Sequence, residues 1–402
     1  MQKKLLTAAI GAALVAGTSL AQAAVTVGGN AQVEYYNAIN ECSLGAGLAV
    51  AGAYTGSAVC AAGPRKQRAS GLIDNARGRF FIAADEDIGS LKALAKFEFS
   101  VDTANSGQSE ANGNTAIGPG ATSYDGTPRT FDQRTREKYV GLQGGFGTLT
   151  LGNLHGVYKR MGGVRWDAFN ATVLEARGNG GQSGAELSPG YSHNGFIPGA
   201  IKWETDKLMG PVRLEVLLAP DSASRTVFTG DAGNGYDYQL GLSIKPIKPL
   251  EIMLAHSNNK ATNVAVNRDD AKATKVGVRG VFGGTTAFVQ YEMADMNGPT
   301  GTAPVIGGLT VPGAIDAKWL LLGFGQKFGG SEIVVQLGRH DRDTRGVSTA
   351  TLGTDTFYYA AGYFYNFSKT AKAWAGVRKT DAERGLADRE TTVYSAGMRK
   401  DF

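Results

Sequence analysis

The residues able to do covalent or metal chemistry in this chain are few, and their spacing does not assemble them. His155, His193, His256 and His340 include no pair at i, i+4 and no other ligand spacing, so each reads as a polar surface or interior residue. No G-x-S-x-G elbow, phosphate loop or dinucleotide fingerprint occurs. Adjacent carboxylates such as Asp269-Asp270 fall in a polar stretch and read as a solvated face. The chain does carry charge at alternate positions: Arg213 and Glu215, Lys275 and Arg279, Glu332 and His340. Side chains two residues apart share one face of a strand. Rows of that kind do electrostatic work on whatever passes them rather than bond chemistry.

The elements that position these rows are strands. Segments of roughly ten residues alternate with period two, and helical periodicity is nearly absent. Val212, Leu214, Val216 and Leu218 oppose Arg213 and Glu215; Val276, Val278 and Phe282 oppose Lys275, Gly277 and Arg279; Ile333, Val335 and Leu337 oppose Glu332, Gln336 and His340. One face of each segment is apolar and the other wet.

The first 23 residues read as an export signal outside the fold. Lys3 and Lys4 precede a short apolar stretch, Leu5 to Leu20, and Ala21-Gln22-Ala23 offers a small-x-small cleavage site, so a mature chain would start at Ala24. Beyond Ala24 no apolar run reaches the ~20 residues of a spanning helix. Without Lys3 and Lys4 the net charge falls from +5 to about +3, too balanced a surface to argue for nucleic acid. An exported chain folds in an oxidising compartment, so Cys42 and Cys60 read as a disulfide closing a loop; no further ligands stand near them for a metal.

Turns and loops alternate in length. Short turns fall at Asp85 to Gly89, Gly144-Gly145, Lys207 to Gly210, Lys245 to Pro249, Gly283-Gly284, Gly329-Gly330 and Phe367 to Thr370. Long polar loops occupy roughly 38–74, 102–133, 155–196, 220–234, 259–271, 294–316, 341–354 and 381–389. Seven turns and eight loops make sixteen strands, with both termini on one side. Short turns at one end and long loops at the other are the outer-membrane barrel pattern. The expected fold is therefore all-β, a 16-stranded antiparallel transmembrane β-barrel over residues 24–402. Closure leaves no unpaired strand edge in hydrocarbon, and sixteen strands enclose an aqueous lumen rather than a side-chain core. Aromatics near strand ends, among them Tyr35, Tyr36, Phe97, Trp203, Trp319, Phe328, Tyr365, Trp374 and Tyr394, suggest two interfacial girdles. First-strand parity places Asn30, Gln32 and Glu34 on the lumen, opposite Val27, Val33 and Tyr35.

Particular segments then resemble a known family. Val25-Thr-Val-Gly-Gly, Arg79-Phe-Phe-Ile-Ala-Ala-Asp-Glu-Asp-Ile-Gly with Leu91-Lys-Ala, Arg136-Glu-Lys-Tyr-Val-Gly-Leu with Gly145-Phe-Gly-Thr-Leu-Thr-Leu-Gly, and the terminal Ala396-Gly-Met-Arg-Lys-Asp-Phe402 follow in the order and spacing of the general diffusion porins of Gram-negative bacteria. The resemblance covers the whole mature chain. It implies a homotrimer in outer-membrane lipid and lipopolysaccharide, passing small hydrophilic solutes and ions. It implies a terminal strand, ending in Phe402, that the barrel-assembly machinery reads. It also implies that the third long loop, His155 to Gly195, folds into the lumen; its segment Tyr158-Lys-Arg-Met-Gly-Gly-Val-Arg-Trp-Asp-Ala-Phe is similar to the family's.

By the same resemblance Arg79 and Arg136 match wall arginines of the pore constriction, and Asp167 matches an acidic residue of the inserted loop, with Glu175 and Glu186 as further loop carboxylates. Parity adds Arg77 beside Arg79, and Arg134 and Lys138 beside Arg136. Such an eyelet sets acid against base across a narrow gap and orients polar solutes. The family's further arginine before the sixth strand has no counterpart in Asn194-Gly-Phe-Ile-Pro-Gly. Lys159, Arg160, Arg165 and Arg177 make the loop basic on balance, so a mild anion preference is expected, with no cofactor and no catalysis. The competing readings are a substrate-specific channel using Tyr158, Trp166, Phe169 and Tyr191, a barrel enzyme, and an adhesin or phage receptor built on the long loops.

Overall fold

The structure is a computed structural model. It describes residues 23–42, 65–73, 78–101, 103–104, 131–132, 136–176, 196–205, 210–220, 236–259, 271–296, 305–306, 309–310, 314–345, 355–384 and 387–402. Residues 1–22, Cys60, Arg77, Arg134, Arg177, Glu186, Tyr191 and His193 lie outside these residues, and with Cys60 so does the expected disulfide.

The alternation read from the sequence becomes a closed antiparallel barrel. Its 18-stranded sheet makes sixteen staves, because two staves each consist of two segments. Strand β1 is Ala24–Cys42; β2 comprises Arg65–Ile73 and Gly78–Ile88, both laid against β1. Strand β3 is Leu91–Val101, and β4 comprises Phe131–Asp132 and Lys138–Gly144, both laid against β3. Then follow β5 Gly147–His155, β6 Phe196–Glu204, β7 Val212–Pro220, β8 Tyr236–Ile247, β9 Leu250–Asn259, β10 Ala271–Phe282 and β11 Thr285–Met296. The last five are β12 Ala314–Phe328, β13 Ser331–Arg345, β14 Asp355–Ser368, β15 Ala371–Arg384 and β16 Ala387–Asp401. Each pairs with its neighbour in sequence. Closure comes from β1 against β16, Asn30 opposite Asp401 through Cys42 opposite Arg389. Phe402 extends the seam: its N–H donates to the Gly29 carbonyl and its carbonyl accepts from Gly29 N–H, both at 3.0 Å.

The barrel is apolar outside, while its inner face mixes polar residues with apolar ones such as Met253, Leu321 and Phe364. Val276, Val278, Ile333, Val335 and Leu337 are exposed, while Lys275 and Gln336 on the opposite face are completely buried. In water such an apolar surface would be a liability; in a bilayer it is the wall.

Three expectations are corrected. The acidic stretch Asp85 to Ile88 is strand rather than turn, and the reversal is at Gly89-Ser90. Lys92 explains this: across the hairpin its ammonium donates to Asp85 at 2.6 Å and stands 3.6 Å from Asp87. Ladders also run into ranges read as loops, to Cys42 on β1, Arg345 on β13 and Arg384 on β15. Backbone pairing needs no apolar face, so polar strand above the membrane carries no lipid-facing signal; Lys379 paired with Glu390 at 2.8 Å is such a cross-strand contact. Finally, Tyr36, Trp319 and Trp374 are buried and do not belong to a girdle. Tyr36 shares the inward face of Gln32 and Glu34, and Trp319 stands 6.0 Å from the buried His340 ring. Exposed aromatics such as Tyr35, Phe97, Phe328, Tyr365 and Tyr394 do lie on the outward face.

Candidate functional site

After β5 the chain lies against the buried face of the wall. Two short turns, α1 Val157–Arg160 and α2 Gly163–Trp166, are followed by irregular backbone to Ala176. Neither turn is long enough to be stable alone, so wall contacts must hold them. Val157, Tyr158, Met161, Phe169, Val173 and Leu174 are completely buried. Gly162 sits between the turns with φ 64°, a conformation that favours glycine.

Hydrogen bonds fasten this segment at both ends. Near its start Tyr158 N–H donates to Gln239 of β8 at 3.0 Å, and the Tyr158 hydroxyl donates to Glu292 of β11 at 3.1 Å. Gly163 N–H donates to Gln290, and Arg165 pairs with Glu251 of β9. At the far end Gln32 donates to the Ala171 carbonyl at 2.6 Å, and Val173 N–H donates to Glu34 at 3.1 Å. Tyr358 of β14 donates to the Leu174 carbonyl at 2.7 Å, and Arg378 of β15 to the Glu175 carbonyl at 3.3 Å. Wall glycines receive the apolar side chains: a Cβ on Gly241 would stand 2.5 Å from Val157, and one on Gly362 would stand 2.6 Å from Phe169.

The two loop carboxylates singled out by sequence turn inward on this backbone. Asp167 accepts from Phe169 N–H and from Ala176 N–H, each at 2.9 Å; Glu175 accepts from Ala171 N–H at 2.8 Å. Both are buried. These bonds tie the carboxylates to the fold of the segment itself. Asn30, Gln32 and Glu34 are buried on the inward face, and two of them hold the segment as described.

The two wall arginines meet at Ser100, and Lys138 lies apart from them. Arg79 on β2 faces inward, opposite Ser100, with its guanidinium 3.8 Å from Glu98 and its side chain 30% exposed. Arg136 is fully buried; its Nε donates to Ser100 at 2.6 Å and its guanidinium lies 5.9 Å from the Phe196 ring. Both converge on Ser100. Lys138 does not join them: it pairs with Phe97, which is exposed on the outward face. The ladder of this part of β4 begins at Lys138, and Arg136 sits at a bend before it, so alternation does not carry from one to the other. Where the sequence lacks an arginine before the sixth strand, Phe196 provides a platform. His155 stacks on it at 4.2 Å and the Lys159 ammonium stands 4.4 Å from its centroid, an arrangement worth roughly 0.5–2 kcal/mol.

Sequence reading put Arg213 and Glu215 on one wet face and Arg160 in the loop, but did not name Lys96, Glu98, Glu137 or Glu204. Lys96 contacts Glu98 at 3.0 Å and Glu137 at 2.9 Å; Arg213 contacts Glu204 and Glu215, each at 2.9 Å; Arg160 reaches Glu204 at 3.7 Å. The inward parity of each strand was the signal that could have found them. In these pairs the cation is the more exposed partner: Arg213 is 24% exposed against 1% for Glu215, and Arg165 33% against 9% for Glu251.

A closed barrel with an apolar exterior, a charged interior and a segment fastened across its inner face defines an outer-membrane channel. The chain belongs to the Gram-negative porin family, whose family model matches residues 7–385. It is similar in structure to the anion-selective porin of Comamonas acidovorans, at 18% identity over 94% of this chain and 100% of that one, TM-score 0.64. A trimer form of the outer membrane protein OmpT of Vibrio cholerae matches at 12% identity over 94% and 99%, TM-score 0.57. The outer membrane channel DcaP of Acinetobacter baumannii matches at 13% identity over 94% and 97%, TM-score 0.57. These likenesses bear on the fold. No curated protein sequence matches the chain. The protein is an outer-membrane porin, a multi-pass β-barrel that forms a channel.

Proposed function

We propose that the channel is a water-filled passive-diffusion pore with a mild anion preference, and that residues 155–176 form its constriction. The observation that carries this reading is the burial order of charge. Glu98, Glu215 and Glu251 are less exposed than their partners Arg79, Arg213 and Arg165, so at these three pairs positive charge is nearer to solvent, whereas Lys202 is less exposed than Glu204. An ion in the lumen then meets positive charge first, and low-dielectric walls focus that field. The anion-selective neighbour from Comamonas acidovorans supports the same sign. Arg79 and Arg136 are the proposed wall of the constriction; Asp167 and Glu175 shape the segment that narrows it.

Family membership supports ion and small-solute transport without catalysis. The trimer form of a structural neighbour supports a homotrimer. Residues 1–23 as an export signal, Phe402 as a mark for the barrel-assembly machinery, and contact with lipopolysaccharide complete the proposal. Liposome swelling tests the pore: neutral sugars should enter at rates that fall with size and do not saturate with concentration. A saturating rate for one sugar and exclusion of others of equal size would overturn passive diffusion.

A further inference from the structure

We propose a binding subsite for small aromatic carboxylates between the inserted segment and the short turns. This rests on the channel reading and adds a ligand class to it. A cavity of about 220 Å³ opens beneath Trp166, toward the hairpin ends at Gly283, Gly329 and Ser368. Drug-sized ligands fill roughly 300–1,000 Å³, so this space suits a single ring with one acidic group.

Its lining has two chemistries. The aromatic part is Trp166 with Phe288, ring centroids 6.0 Å apart, and Phe364, whose ring lies 5.7 Å from Phe169. The cationic part is Arg165, Arg279 and Lys372, with the Lys372 ammonium 5.5 Å from the Phe364 centroid. Basic and aromatic groups therefore line one small space together.

Two buried donors in this lining have no hydrogen-bond partner among the described residues: Arg279 Nε and Trp166 Nε1. Trp166 is only 3% exposed. Unpaired buried donors cost free energy and call for an acceptor. The neighbouring carboxylates are engaged elsewhere. Glu251, opposite Arg279 in the ladder, accepts from Arg165 and from Ser243 at 2.9 Å. Asp167 is held by its own backbone, and Glu332 lies 4.0 Å from Lys327 at the cavity edge. A benzoate-like anion would set its ring against Trp166, Phe288 and Phe364 and offer carboxylate oxygens to the open donors.

The test is single-channel current through the full-length protein in planar bilayers, titrated with benzoate, acetate and benzyl alcohol. Benzoate should reduce the current saturably at concentrations where acetate, with the charge alone, and benzyl alcohol, with the ring alone, do not. Arg279→Gln should raise the half-blocking benzoate concentration by about tenfold, the value of one charge-assisted hydrogen bond. Trp166→Phe keeps a ring, removes the donor and should weaken block in the same direction, which covers the case that Arg279→Gln does not insert. Equal effects of benzoate and acetate, or unchanged benzoate block in either variant, would overturn the subsite while leaving the channel intact. Inserted protein that conducts no ions would overturn the channel reading itself.

Discussion

The Glu34 carboxylate accepts the backbone N–H of Val173 at 3.1 Å. The same carboxylate accepts the Ser395 hydroxyl at 2.7 Å. Glu34 stands on β1 and Ser395 on β16, the two strands that close the barrel, so the closing seam and the inserted segment share one buried group.

Glu34→Ala should therefore weaken both. It leaves buried donors without an acceptor, at a cost of about 1–3 kcal/mol. Thermal unfolding of the refolded protein should shift down, and single-channel records should become noisier with a higher mean conductance. Unchanged conductance with lowered stability would separate the seam from the segment.

The seats under the segment make a second test. Gly241→Leu and Gly362→Leu would place side chains where Val157 and Phe169 now pack. Overpacking of this kind typically costs about 1–3 kcal/mol, and here the segment is the part able to move. Both variants should raise conductance and the size limit for sugar entry in liposome swelling.

Removing a basic tip should shift selectivity. A unit charge ~10 Å from a permeating ion in water contributes about 0.4 kcal/mol, about twofold for each ion and, because the sign reverses between them, about fourfold in the anion-to-cation ratio. Arg79→Gln and Arg213→Gln should each move the zero-current potential toward cations by at least this amount, because Glu98 and Glu215 then lose a partner. Added salt should shrink the difference, as the Debye length shortens.

Asp167→Asn should act on order more than on selectivity. Asparagine keeps one acceptor oxygen, so either the Phe169 or the Ala176 N–H is left unmatched. Proteolysis within 155–176 should speed up, while the zero-current potential should move less than in Arg79→Gln.

The barrel was legible in the sequence because lipid imposes a strict rule. Val276, Val278 and Phe282 must face outward, and period two follows from that alone. The inward placement of Asn30, Gln32 and Glu34 comes from the same parity. Parity fails where the ladder is interrupted, which is why Lys138 ended on the face opposite to the one expected from Arg136. The segment itself carries no period. Its fold depends on long-range partners such as Gln32 with Ala171 and Tyr358 with Leu174, and no local pattern in 155–176 encodes them. The porin resemblance singled out Asp167, with Glu175 as a further loop carboxylate, but not the backbone N–H groups they accept from.

The proposed pore is open, and anions cross it more readily than cations. The zero-current potential of the wild-type channel in a KCl gradient tests it most directly. The sign should be that set by chloride moving down its gradient. A potential of the opposite sign, set by potassium, would contradict the account.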